Sequence, residues 1–358
     1  MSNKYEFIAP CHFGLEAVCK REIADLGYEI VKVEDGKVTF AGDMDALVRA
    51  NIFLRTTQRI LLKVAEFKAL TFEELFQNVK KVPWEEYFPS DARFWVTKAT
   101  SVKSKLFSPS DIQSIVKKAM VERMKEHYHI NWFEEDGADY PVRVIIYKDI
   151  VTIGLDTSGE SLHKRGYRCM VSKAPIKETL AAAMVLLSFW KKDRILVDPC
   201  CGSGTIPIEA AMIGRSIAPG ISRSFVSEEW EAIPAALWKE ERKAAFAAID
   251  QDCELKIFAS DLDPKAVKAA QQNAEEAGVD DCIVFRCADI AAALPAVSSK
   301  NQDTGRNNRC TAAAVALDAA KCGERENVHR TGGAGLRPQI PNHAEAAYLN
   351  EEGGVIVT

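Results

Sequence analysis

The sequence predicts an α/β chain: two small α+β units, then a doubly wound parallel sheet. Three observations predict it. The first 165 residues mix strand and helix periodicities, with a strand-turn-strand signal at Asp35-Gly36. From residue 174 onward, short apolar strands alternate with helices. The strand Ile195–Asp198 runs into a Gly-x-Gly turn and then a helix start. At 358 residues with 47% apolar and 27% charged composition, the chain can bury more than one core, and wholesale disorder is excluded.

Taken in order, residues 5–8 read as a strand. Residues 15–26 place Leu15, Val18, Cys19, Ile23 and Leu26 on one helix face, and Gly27 suits the helix end. Residues 30–33 and 37–40 flank the Asp-Gly turn. Asp43 opens a second helix through Arg55, and residues 60–67 return as a strand. The order β-α-β-β-α-β is that of a ferredoxin-like unit, residues 1–68.

A second α+β unit, 69–165, follows. It has a helix at 72–79, a strand at 93–98, and a helix from Ser110-Asp111 with apolar positions Ile112, Ile115, Val116, Ala119, Met120 and Met124. A hairpin turns at Lys148-Asp149. Beyond it, residues 174–190 predict a long apolar helix, 194–198 a buried strand, and Thr205 a helix start. A further helix is expected at 228–249, a strand at 256–261, a helix from Asp263-Pro264 to Gly278, and a strand at 283–286. Residues 296–350 carry no Phe or Trp and no sustained period. They are expected to be a disordered insertion or a stretch foreign to the fold. Residues 354–358 then resume a strand.

Charge and cysteines narrow the class. The net charge is −5, yet residues 1–173 hold 26 Lys and Arg against 25 Asp and Glu. Between Arg93 and Lys125 stand eight basic residues and two acids, Asp111 and Glu122. Such a stripe suits a nucleic-acid contact or a solvated helix face. Ten cysteines without CxxC pairs suit reduced thiols in a cytoplasmic protein. No apolar run is long enough for a membrane span and the first residues lack a signal-peptide core, so no membrane partner is expected. His127-x-His129 lacks a third ligand nearby in sequence, and no metal is expected.

The chemistry-bearing stretch is Asp198-Pro199-Cys200-Cys201-Gly202-Ser203-Gly204-Thr205. Gly202 and Gly204 let a ligand approach the backbone at the carboxyl end of a parallel strand. Asp198 offers a carboxylate to a ligand ammonium, and Cys200 and Thr205 complete the turn. Neither the Walker pattern nor the full dinucleotide fingerprint is present, which disfavours phosphate. Asp261, ending the next strand, suits both hydroxyls of a ribose, whereas Asp263 reads as a helix cap. Asp289 suits an adenine amino group or an ordinary strand-end turn, and Leu262 and Ile290 can pack on the ring. Ammonium, ribose and adenine together name S-adenosylmethionine. His163-Lys164-Arg165-Gly166-Tyr167-Arg168 suits a phosphodiester backbone with a stacked base, or a solvated linker. Lys103 and Lys105, in the polar loop SVKSKLFS, are further candidates for RNA.

With DPCCGSGT, ASDLDP, LHKRGYR and APIKETLAA in view, the chain resembles the THUMP-domain methyltransferases of RNA. It is nearest the bacterial group acting on guanine N2 of large-subunit ribosomal RNA, often labelled N6-adenine-specific DNA methylases. The resemblance implies a ferredoxin-like domain at 1–68, an RNA-binding THUMP domain at 69–165 and a class I (Rossmann-like) methyltransferase domain at 166–358. It implies structured RNA as partner, ribosomal RNA first. Guanine in tRNA, adenine N6 in nucleic acid, and a non-catalytic RNA-binding role are the alternatives. The family runs from this last strand into Asn-Pro-Pro-Tyr, so catalytic residues are expected immediately after Thr358, the sheet is expected to be incomplete, and the 358-residue chain is expected to be inactive.

Overall fold

The computed structural model describes residues 4–130, 132–170, 175–290 and the strand pair 355–356. The stretch expected to be disordered or foreign, 296–350, lies outside the described residues. The chain divides into two compact units. The first comprises Met1–Arg168, Ile176–Phe189 and Met212–Cys253; the second comprises Cys169–Pro175, Trp190–Ala211 and Glu254–Thr358.

The first unit is built on seven strands. β1 (Tyr5–Pro10), α1 (Glu16–Asp25), β2 (Glu29–Glu34), β3 (Lys37–Gly42), α2 (Met44–Phe53) and β4 (Leu61–Lys68) follow the predicted order. Asp43 caps α2 by accepting from the Ala46 N–H, as its position suggests. Then come α3 (Phe72–Lys80), β5 (Arg93–Val102), α4 (Pro109–Tyr128), β6 (Asp139–Tyr147) and β7 (Ile150–Asp156). The strand order β2-β3-β1-β4-β7-β6-β5 makes one continuous sheet of the two predicted α+β units. The joint is β4 against β7, antiparallel from Leu61↔Asp156 to Lys68↔Ile150. β4 meets β1 over only two residue pairs, Phe7↔Leu62 and Ile8↔Leu61.

At that joint sits a buried ionic knot. Asp156 takes Arg59 at 2.7 Å and Arg143 at 2.9 Å, and also accepts from the Ser158 and Gly159 N–H groups. These four donors take the place of the water that burial removes from the carboxylate. Asn51 of α2 closes the same region, accepting from the Ser158 hydroxyl and donating to Thr157 Oγ1.

Two helices of this unit depart from expectation. The helix expected at 174–190 is α5, only Glu178–Leu187. The helix expected at 228–249 is a short 3-10 turn, Val226–Glu229, followed by α7 (Ala235–Ala247). Pro234, with ψ at 128°, holds extended backbone between them and cannot continue a helix.

The second unit is a parallel sheet. β8 (Leu196–Asp198) leads through the Gly-x-Gly turn into α6 (Thr205–Gly214). β9 (Ile257–Asp261), α8 (Pro264–Glu276) and β10 (Ile283–Cys287) follow, then β11 (Val355–Ile356). The order is β10-β9-β8-β11, every pairing parallel. β9 lies on one side of β8 and β11 on the other, which makes the carboxyl end of β8 the switch point where such sheets bind ligands.

Candidate functional site

The site grows from the ends of β8 and β9. Asp198 closes β8 at 4% exposure, its Oδ1 accepting from the Cys200 N–H at 3.2 Å. Burial pushes its carboxyl up to about 6; the Cys200 hydrogen bond opposes that rise and the neighbouring Asp261 charge adds to it. Burial also pushes the Cys201 thiol up, which leaves it protonated and poorly nucleophilic.

The turn is held from β9. Cys201 N–H donates to Ser260 O at 2.8 Å, and Gly202 N–H donates to Asp261 Oδ2 at 2.9 Å. The other oxygen of Asp261 accepts the Asp263 N–H at 2.9 Å. Asp263 itself accepts from the Lys265 N–H, so its reading as the cap of α8 holds. Asp261 is thus anchored by two backbone donors, each oxygen keeping lone-pair capacity for more.

The two glycines do different work. Gly202 (φ +52°) has nothing within 4 Å of where a Cβ would stand, so the turn is open there. Gly204 (φ +81°) faces α8: an added Cβ would lie 2.9 Å from the Ala270 Cβ. One glycine leaves room for a ligand, the other for a helix. Thr205 is buried and opens α6.

At the rim, Leu262 is 71% exposed and Ile290 is 53% exposed, both large apolar side chains at the carboxyl edge. Asp289 is exposed beside Ile290. These three, with Asp198, Cys200, Gly202, Gly204, Thr205 and Asp261, all fall in the second unit.

One residue of this site is absent from the sequence reading. Asn273 of α8 is buried and makes hydrogen bonds with both amide atoms. Its Nδ2 donates to Ser203 O at 3.0 Å and to Met170 O at 3.1 Å; its Oδ1 accepts from Cys169 N–H and Met170 N–H at 3.1 and 3.0 Å. It therefore ties the turn to residues 169–170. An Asn on the buried face of a helix was the available signal, and its partners lie 70 and about 100 residues away.

The candidates for RNA divide. Lys103 and Lys105 are exposed. Lys164 is exposed and ion-paired with Glu160. Arg165 and Tyr167 are corrections: both are 4% exposed, and the Arg165 guanidinium donates to Leu162 O and Arg55 O. Arg168 is held by Glu178 Oε1 at 2.7 Å and by Ile176 O. The two arginines bind the chain to itself: Leu162 O and Arg55 O claim one guanidinium, Glu178 and Ile176 O the other, and Tyr167 is buried beside them in sequence. Within the stretch Lys164 and Gly166 face outward, whereas Arg165 and Tyr167 do not.

Two of the candidate residues, Asp198 and Gly202, have surroundings that suit S-adenosylmethionine. A buried carboxylate perturbed by desolvation suits a ligand cation, and the open side of Gly202 gives a ligand access to the turn. Among the described residues no cluster of His, Cys, Asp and Glu is arranged to hold a metal, and no helix is long and apolar enough to cross a membrane.

The sequence matches the RlmL ferredoxin-like domain over 6–61, the THUMP domain over 69–156 and the RMKL-like methyltransferase domain over 165–304. It is 52% identical over 286 residues to YpsC of Bacillus subtilis (strain 168), a candidate RNA methyltransferase, covering 79% of this chain and 74% of that one. It is 34% identical over 295 residues to the ribosomal RNA large subunit methyltransferase K/L of Psychromonas ingrahamii, covering 81% of this chain but 39% of that longer protein. The structure of SMU.472 complexed with SAH superposes with a TM-score of 0.78 at 41% identity, covering 83% of this chain and 78% of that one.

Proposed function

The chain belongs to the RMKL-like methyltransferase family, with RlmL ferredoxin-like and THUMP domains ahead of the methyltransferase domain, and on that premise we propose that it methylates N2 of a guanine in 23S-type ribosomal RNA. It is an S-adenosylmethionine-dependent RNA methyltransferase. The observation that carries the choice of ribosomal RNA is the RlmL ferredoxin-like match at 6–61, together with the relative named for the large ribosomal subunit.

In this reading Asp198 receives the ligand ammonium and Asp261 the ribose hydroxyls. Asp289 accepts from the adenine amine, and Leu262 and Ile290 flank the ring. Cys200, Gly202, Gly204 and Thr205 shape the turn. When bound, S-adenosylmethionine supplies an electrophilic methyl group. The protein's task is orientation and desolvation: the guanine amine must arrive in line with that methyl at the carboxyl edge of the sheet. Lys103, Lys105 and Lys164 would meet RNA phosphates, whereas Arg165, Tyr167 and Arg168 hold their own segment.

The test is mass mapping of nucleosides from cells lacking the gene. Loss of one N2-methylguanosine from 23S-type RNA is expected. Intact ribosomal RNA with a missing methyl group in tRNA or on adenine overturns the proposal.

A further inference from the structure

At the end of the seven-stranded sheet where β5 and β6 finish, one aromatic ring stands exposed among lysines. Phe107 is 81% exposed. It directly precedes Ser108, the N-cap of α4, whose hydroxyl accepts from the Asp111 N–H. A hydrophobic residue at that place ordinarily packs on the fourth helical residue. That residue, Ile112, is fully buried, but Leu106 turns inward in Phe107's stead, at 3% exposure.

The loop that presents Phe107 is fixed. Asp149 Oδ1 accepts from the Ser104 hydroxyl at 2.9 Å and from the Lys105 N–H at 2.8 Å, and Asp149 O accepts from the Ala69 N–H. Ser101 donates to Leu106 O, and Lys148 N–H to Val102 O. These bonds gather Lys68, Lys103, Lys105 and Lys148 at one end of the sheet, all exposed. Among the described residues none of the four has a carboxylate within ion-pair distance, whereas Lys32, Lys37 and Lys63 on the same sheet are paired with glutamates. Lys148 lies over the Tyr147 ring at 5.0 Å.

We propose that Phe107 is a stacking platform for an unpaired nucleotide of the RNA, with Lys68, Lys103, Lys105 and Lys148 holding the flanking phosphates. The proposal rests on the RNA-methyltransferase reading and specifies what the N-terminal unit grips. A ring can stack only on a base freed from a helix, because the bases of an A-form duplex are already stacked on one another. Phe107 therefore confers preference for a loop or a strand end, and the lysines confer affinity without sequence preference. The same chemistry on a membrane would need more apolar surface than a single ring amid four cations.

The experiment titrates the full chain into fluorescein-labelled short RNA, unpaired or in a perfect duplex of the same strand. Phe107→Ala should weaken binding of the unpaired strand about tenfold or more and leave the duplex within about twofold. Phe107→Trp should restore it. Lys103→Glu with Lys105→Glu should weaken both forms and flatten the salt dependence by about 0.7 per lost phosphate contact on the single strand. Equal affinity of Phe107→Ala and the parent for the unpaired strand, or an equal loss on both RNA forms, overturns the stacking role while leaving RNA binding intact. No binding of either RNA by the parent overturns the RNA reading as well. Binding to phosphatidylglycerol–phosphatidylcholine vesicles that requires Phe107, with RNA binding indifferent to it, assigns the ring to a lipid surface and overturns the proposal.

Discussion

Replacing Asp261 with alanine should cost the protein most of its affinity for S-adenosylmethionine. In the free protein each carboxylate oxygen accepts one backbone N–H at 2.9 Å, from Gly202 and from Asp263. Two ribose hydroxyls would use the remaining lone pairs. Hydrogen bonds to a charged group contribute about 1.5–3 kcal/mol each. Losing two therefore removes about 3 kcal/mol or more, a weakening of about a hundredfold in Kd. Asp261→Asn retains one acceptor oxygen and the shape of the side chain, so its loss should be nearer tenfold. It also removes the charge that helps raise Asp198, and so should move the pH midpoint of binding downward. Titration calorimetry with S-adenosylmethionine and with its demethylated product measures both variants. Thermal unfolding without ligand separates a collapsed turn from a lost contact. Asp261→Ala that unfolds at the parent's temperature and binds within twofold of it would refute the ribose assignment.

Two other consequences are measurable. Asp198 sits about two pH units above its ordinary value, so its ionised form costs the fold about 3 kcal/mol. That cost is fully present above pH 6 and is relieved as pH falls toward 4, because the native state binds the proton more tightly. The stability advantage of Asp198→Asn over the parent should therefore be largest above pH 6 and vanish below about 4 in pH-dependent denaturation. Ligand binding has the opposite sign. An ammonium needs the carboxylate, so S-adenosylmethionine affinity should fall by up to about tenfold per unit below pH 6, and Asp198→Asn should flatten that profile. The glycines should separate. Gly204→Ala drives a Cβ to 2.9 Å from Ala270 and should lower both stability, by about 1–3 kcal/mol, and affinity. Gly202→Ala meets nothing in the protein, so its penalty at φ +52° should be about 1 kcal/mol, and its main effect should appear on ligand titration.

Local signals made much of this legible. Asp43 and Asp263 announce helix caps because a short acid before a helical period has one stable use. The turn after Asp198 is legible because glycines at the end of an apolar strand leave few other roles. What escaped is long-range. Arg165 and Tyr167 resemble a cationic, aromatic surface until Arg55 O, 110 residues away, claims the guanidinium. Asn273 looks like any polar helix residue until Ser203 and Met170 meet it. No local pattern says where a side chain's partner will be when that partner is 70 or 110 residues away.

The β4–β7 ladder has a consequence for how the N-terminal part can be cut and moved. Two domains separable in sequence, ending at 61 and beginning at 69, share a strand zipped along its length to the second and touching the first at only two residue pairs. Severing the chain at residue 68 and separating the halves would strip β7 of its β4 neighbour, leaving it only β6, and would leave two raw sheet borders, each a template for foreign strands. A transplant into another enzyme should therefore carry β1 to β7 as one girder, together with the Ile176–Phe189 and Met212–Cys253 segments that belong to the same unit.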